Sequence, residues 1–226
     1  MAPREHELST RRAVWTIGML CGPAAAVGMA VGVVVLGRMV PGYDAVRQTV
    51  SEIGEAGSPA QGSFSALLFA VAACTLGLAA SVWSASSARG HGRGAAYLVA
   101  FMALSAAGIG AFPFPHPLHN VFGLSELLGY QAPLALALAW RKDVHARALV
   151  LFSWVCFALI WASIVLNLSA LFRPAVVWAA VAPVYGVVQR SLFAAWFCWC
   201  AGTGLLLLRM IGGDTASRAR PPATAA

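Results

Sequence analysis

An all-α bundle of six transmembrane helices, with a short amphipathic helix in the first outer loop, is predicted by three observations. The 226 residues are 60% hydrophobic and only 10% charged, with a mean hydropathy of +0.76. Soluble domains carry about 25% charged residues, so this chain has too little charge to cover a water-facing surface. Six apolar runs approach the roughly 20 residues that cross a hydrocarbon core, and the 15 Lys and Arg lie almost wholly between those runs. A soluble enzyme, a secreted disulfide scaffold and a disordered chain are thereby excluded. The net charge of +7 and pI near 9.7 reflect topology. No basic patch interleaved with aromatics is present, and nucleic acid is not an expected partner.

The runs fall at about 14–38, 63–84, 95–112, 121–140, 148–170 and 188–209. The first exceeds the ~7–15 residues of a secretory signal's apolar core and reads as an uncleaved helix. This divides the chain into an N-terminal segment 1–13, a membrane domain 14–210 and a polar tail 211–226, read as disordered. Eleven of the 15 cationic side chains sit in the termini and the loops near 89 and 141–147. The other four are Arg38, Arg47, Arg173 and Arg190. The positive-inside rule therefore places both termini in the cytoplasm of a cell whose inner membrane the chain spans six times.

All five cysteines, Cys21, Cys74, Cys156, Cys198 and Cys200, fall in the spans, where they read as small packing residues. Neither a disulfide frame nor a zinc ribbon fits them. Gly18 with Gly22, Gly28 with Gly32, and Ala106 with Gly110 repeat a four-residue spacing that lets a neighbouring backbone approach. Packing within the bundle is the preferred reading over a dimer interface, and the oligomeric state stays open. Trp196 and Trp199, one turn apart, read as a lipid-facing or packing stripe.

The polar residues gather on the outer side. The first loop, 39–62, contains YDAVRQTVSEIGEAGSP. Asp44 is placed to cap a helix there, with Val46, Val50 and Ile53 on one face and Gln48, Glu52 and Glu55 on another. Such a helix would lie on the membrane surface, apolar face down. The second outer loop, FPFPHPLHN, is stiffened by Pro113, Pro115 and Pro117 and ends in His116, His119 and Asn120. If the fourth span starts near Asn120, Glu126 lies ~9 Å inside it, with Tyr130 on the same face and Gln131 deeper. Asn167, Gln189 and Arg190 lie near the outer ends of the last two spans.

Glu126 is the only acidic residue within a span. A buried carboxylate needs a partner, and Arg190, Arg173, His119 and Arg47 are the candidates. Three readings compete for this cluster. It is a purely structural, ion-paired cap; or a site for a lipid, sterol or isoprenoid head group; or an intramembrane enzyme of hydrolase or isoprenoid-cyclase type, with Glu126, Glu52 and His119 as acid–base candidates. Ser51 is a possible nucleophile, but no flanking glycine pattern makes an elbow. His116, His119 and Glu55 have metal-ligand chemistry, yet His-x-x-His in a proline loop lacks the helical frame of zinc enzymes. No metal or cofactor is expected. A channel is disfavoured, since no polar path crosses the inner half of the bundle.

Three segments carry a resemblance. Ser51, Glu52, Gly54, Gly57, Ser58 and Pro59 in the first loop, Gly108, Gly110, Phe112, Pro113 and His119 in the second, and Gly186, Gln189 and Arg190 at the start of the sixth span resemble the signatures of domain of unknown function family 998, bacterial six-span membrane proteins. That family commonly has an Asp after its Phe-Pro pair, where this chain has Phe114 and Pro115. The family in turn is similar to eukaryotic six-span proteins of the Frag, DRAM and Sfk type, which implies lipid or membrane homeostasis. The resemblance and the polar distribution together nominate Ser51, Glu52, His119, Asn120, Glu126, Tyr130, Gln189 and Arg190 as a ligand-binding site, with His119 as its titrating member near pH 6.5.

Overall fold

The computed structural model describes residues 3–172, 174 and 176–218, with side chains described over 15–210 apart from 173 and 175. No strand occurs among these residues. The helices are α1 (Pro3–Gly37), α2 (Gln61–Ala88), α3 (Gly94–Ala111), α4 (Pro117–Gly129), α5 (Ala132–Trp140), α6 (Arg147–Leu168), α7 (Val176–Val181) and α8 (Tyr185–Arg218). Six segments are long and apolar enough to cross a membrane: Trp15–Gly37, Gln61–Ala88, Gly94–Ala111, Pro117–Trp140, Val144–Leu171 and Val176–Met210. A helix is the one open structure that satisfies its own backbone in hydrocarbon. The chain is a multi-pass integral membrane protein. Residues 219–226 of the tail lie outside the described residues, and α8 continues to Arg218.

Successive spans pack side by side, and the last returns to the first: α1 on α2, α2 on α3, α3 on α4, α5 on α6, α6 on α8, and α8 on α1. The six crossings thus form a closed ring in chain order. An even number of crossings leaves both termini at one end, called here the terminus face. The long first loop sits at the far face.

Close approach explains where the ring is tightest. A Cβ on Gly22 would sit 2.3 Å from the Cys200 carbonyl oxygen, and one on Gly204 would sit 2.2 Å from that of Met19, so α1 and α8 touch backbone to backbone. Gly18 faces Ser81 and Gly77 of α2 in the same way, whereas Gly28 has open space. Trp196 and Trp199 are both buried, and the Trp199 indole donates to Ser153 Oγ at 3.0 Å. They are interior packing residues and do not face lipid.

The fourth crossing is broken. Pro133 cannot donate a backbone hydrogen bond to Gly129, four residues earlier. The Gln131 amide moves to the Leu128 carbonyl at 3.1 Å, and its side-chain Nε2 covers the Leu127 carbonyl at 2.9 Å. Gln131 thereby repairs the break that Pro133 makes. Helix α4 also starts at Pro117, with the His116 ring accepting from the Leu118 amide at 3.1 Å. Glu126 is therefore about 13 Å along it.

At the terminus face a polar knot ties two loops together. Asp143 accepts from Arg89 Nη1 and His91 Nε2, both at 3.2 Å, and from the His145 amide at 2.9 Å. The Arg89 guanidinium lies 5.9 Å from the Trp140 ring centre, and the Trp140 indole donates to Ser86 Oγ at 3.2 Å. Burial alone would push the Asp143 carboxyl up. The bonds from His91, the His145 amide and Arg89 outweigh it and hold the group below the ordinary carboxylate range. A carboxyl held low in the fold stabilises it above its unfolded value of about 3.9, and that stabilisation is lost as the pH falls through the folded value. Asp143→Asn is expected to cost about 1.5 kcal/mol at pH 7. Thermal unfolding of both proteins should show the gap closing below about pH 4.

Candidate functional site

The far-face end of the ring is closed by the first loop. Its helical part is shorter than expected, a single 3-10 turn over Val50–Gly54. Nor does it lie along the membrane surface. Val50 and Ile53 are 2% and 0% exposed and plug into a cluster with Met29, Phe64, Leu68 and Val71, while Val46 stays exposed. The helical spacing of Val46, Val50 and Ile53 suggested one continuous apolar face, but the chain turns between Val46 and Val50. Asp44 accepts from the Val46 amide at 2.9 Å in a tight local turn, and helix geometry resumes only at Val50.

Glu52 builds this turn. Its carboxylate accepts from the Thr49 amide at 3.0 Å, Thr49 Oγ1 at 2.9 Å and Gln48 Nε2 at 2.7 Å. These bonds occupy it structurally, and it is not on the cavity wall described below. Glu55 ends the turn and is exposed.

The start of α8 clamps the loop from the other side. Gln189 Oε1 accepts from the Val50 amide at 2.6 Å, and Arg190 Nη1 donates to the Gln48 and Gly186 carbonyls, each at 2.9 Å. Arg190 Nη2 donates to the Tyr43 hydroxyl, which itself donates to the Thr49 carbonyl at 2.8 Å. Burial pushes the Tyr43 phenol above its ordinary value against the pull of Arg190, so it is a neutral donor. Gly186 is the seat of the clamp, since a Cβ there would lie 2.4 Å from the Gln48 carbonyl oxygen. Neither Tyr43 nor Gly186 was among the nominated ligand-binding residues. Their signal was the Gly-x-x-Gln-Arg element and an aromatic at the loop entrance.

The second loop reaches the same turn. The Phe114 carbonyl accepts from the Ala56 amide at 2.7 Å. His119, 7% exposed, bonds through Nδ1 to the Phe112 carbonyl at 2.9 Å and through Nε2 to Ser51 Oγ at 3.0 Å. Asn120 is exposed beside it, outside the cluster. The His116 ring caps α4, and among the described residues no three of His, Cys, Asp and Glu converge as a metal site.

Beneath the turn lies a partly open cavity of about 60 Å³, room for a few waters. Ser51, Thr75, Glu126 and Tyr130 supply its polar groups, and the other walls are apolar or aromatic side chains such as Met29, Met102, Phe193 and Trp196. Spans one, two, three, four and six all contribute. Tyr130 donates to Glu126 Oε2 at 3.2 Å and packs edge-on against Trp196 at 5.6 Å. The expected cationic partner of Glu126 is not found among the described residues. Arg190 is turned to the loop, Arg47 pairs with Asp44 at 3.7 Å, and His119 holds Ser51. Arg173 lies outside the described residues. The carboxylate's partner is the phenol one turn along its own helix.

The family described as Protein of unknown function (DUF998) matches residues 23–211. The chain belongs to this family. Comparison with curated proteins and with solved structures finds no match. The residues that carry the DUF998 resemblance now have physical roles in this member. Ser51 and Glu52 make the turn, and Gly57 bends the chain behind it at φ +89°. His119 holds the turn from the second loop, and Gly186, Gln189 and Arg190 hold it from α8.

Proposed function

We propose that this DUF998 protein binds a lipid or isoprenoid-like molecule from the outer leaflet of the cytoplasmic membrane, in the cavity beneath the first-loop turn, with both termini in the cytoplasm. The carrying observation is the cavity's composition. Ser51, Glu126 and Tyr130 present polar atoms in a space otherwise walled by apolar and aromatic side chains. Such a composition suits the polar end of an amphipathic molecule, with its chain left outside the small cavity among the surrounding apolar side chains and lipid. The excess of cationic residues at the terminus face supports the orientation.

The test is retention of lipid by protein purified in nanodiscs, read by mass spectrometry. The wild type is expected to retain one lipid class above its bulk fraction. Ala106→Phe, which fills the cavity wall, should remove that enrichment while the protein stays monodisperse. Glu126→Gln keeps the shape and one acceptor, and should weaken retention about tenfold, which is about 1.4 kcal/mol. Equal lipid profiles for the wild type and Ala106→Phe would overturn the reading.

A further inference from the structure

We propose that Ser51 and His119 form a nucleophile–base pair that cleaves a carboxylic ester in a lipid held by the cavity; the substrate class rests on the lipid reading above. A hydroxyl is a weak nucleophile until a base takes its proton, and that base must be oriented by a third group. All three parts are present. His119 Nε2 lies 3.0 Å from Ser51 Oγ. Its Nδ1 lies 2.9 Å from the Phe112 carbonyl, which only accepts, so Nδ1 carries the proton. In the neutral ring Nε2 is then the bare acceptor, and the Ser51 hydroxyl donates to it.

Both partners are held from independent directions. The Phe112 amide is bonded to the Gly108 carbonyl at the end of α3, and the Phe114 ring stands edge-on to the imidazole at 5.9 Å. On the other side, Gln189 fixes the Val50 amide next to Ser51, and Val50 and Ile53 are buried on either side of it. Several other hydroxyls of the helices are held within their own helix. Thr75, Ser84, Ser87 and Ser105 each donate to the carbonyl four residues back in their own helix, at 2.8–3.1 Å. Ser51 instead meets an imidazole, and it does so on a cavity wall shared with Glu126.

The chemistry balances without a cofactor. Ser51 Oγ bonds to the ester carbonyl carbon as its proton passes to His119 Nε2. The adduct collapses, the bond from carbon to the leaving oxygen breaks, and that oxygen takes the proton from Nε2 as an alcohol. Water then repeats both steps on the acyl-serine and releases the carboxylic acid. Ester and water become acid and alcohol, with no change of oxidation state.

The experiment treats full-length protein in phosphatidylcholine nanodiscs with a long-chain alkyl fluorophosphonate and maps the adduct by peptide mass spectrometry. The expected adduct is on Ser51, absent from Ser51→Ala, with the labelling rate lowered roughly 10²–10⁴-fold in His119→Ala. The wild-type rate should fall as His119 is protonated in acid, a dependence that a purely structural hydrogen bond would not produce. Mapping on the wild type alone decides the matter if either variant fails to fold. No adduct, or an adduct only on another residue, overturns the pair. If lipid is retained but Ser51 stays unlabelled, the catalytic pair falls and the binding reading stands. If Ser51 is labelled but no lipid is enriched, the pair stands and the binding reading falls.

Discussion

Alanine at Gly22 is expected to destabilise the bundle by about 3 kcal/mol or more, leaving little monodisperse protein after detergent extraction. The added carbon would lie 2.3 Å from a backbone oxygen of α8 and 3.0 Å from its carbon. A flexible side chain can swing aside, but a helix backbone moves only as a whole, and overpacking of this kind typically costs 1–3 kcal/mol or more. Gly204 meets the Met19 carbonyl across the same crossing, so no slack remains on the other side. The control is Gly28→Ala. Gly28 belongs to a pair with the same spacing, but a Cβ there would meet no neighbouring element within 4 Å, and the change should stay within about 0.5 kcal/mol. Thermal unfolding followed by size-exclusion chromatography separates the two. Equal behaviour would refute the backbone contact between α1 and α8.

Replacing Arg190 by alanine should release the first loop at a cost of about 3 kcal/mol. One guanidinium holds the Gln48 carbonyl, the Gly186 carbonyl and the Tyr43 hydroxyl, and lies 5.6 Å from the Tyr43 ring centre. Hydrogen bonds to a charged group contribute about 1.5–3 kcal/mol each and do not sum when they share a donor. Arg190→Lys should recover less than half of the loss, because an ammonium cannot span two carbonyls and a phenol with a planar fork. Hydrogen exchange resolved to peptides 43–56 is the appropriate readout. Faster exchange there, with α2 and α6 unchanged, is the expected pattern. Unchanged protection of the loop would show that the clamp lies elsewhere.

The membrane class, the six crossings and the pairing of loops to faces were legible in the sequence because they depend on the length and spacing of apolar runs, a local property. The far-face cluster was legible in part. Ser51, His119, Gln189 and Arg190 do meet around one turn. Glu126 shares the cavity, but with Tyr130 as its partner in place of an arginine. The misreading has a physical cause. Counting cations near the far-face ends of the spans cannot show that Arg190 is already committed to carbonyls, because backbone acceptors leave no mark in a residue pattern. The contact between Ser51 and His119 spans 68 positions and depends on the ring closing, which no spacing rule reports. Equal glycine spacings likewise concealed different surroundings, tight at Gly22 and open at Gly28. The Asp143 knot was missed because its cationic neighbours were used to set orientation, and a lone acid among them looked incidental.

The interruption in the fourth crossing bears on how the protein is made. Helix α4 has 13 residues and α5 has 9, so neither reaches the roughly 20 that partition as a unit into a bilayer. Together they form the least apolar of the six candidate spans, and they carry the acidic Glu126 into it. This segment is a poor guest for lipid on its own and a good one beside α3 and α6, which it contacts directly. Its entry into the bilayer should therefore wait for neighbours already in place. In a glycosylation-mapping assay, a nascent chain truncated just after Trp140 should carry this segment part of the time through to the far side instead of holding it in the bilayer, whereas one extended through Leu168 should hold it.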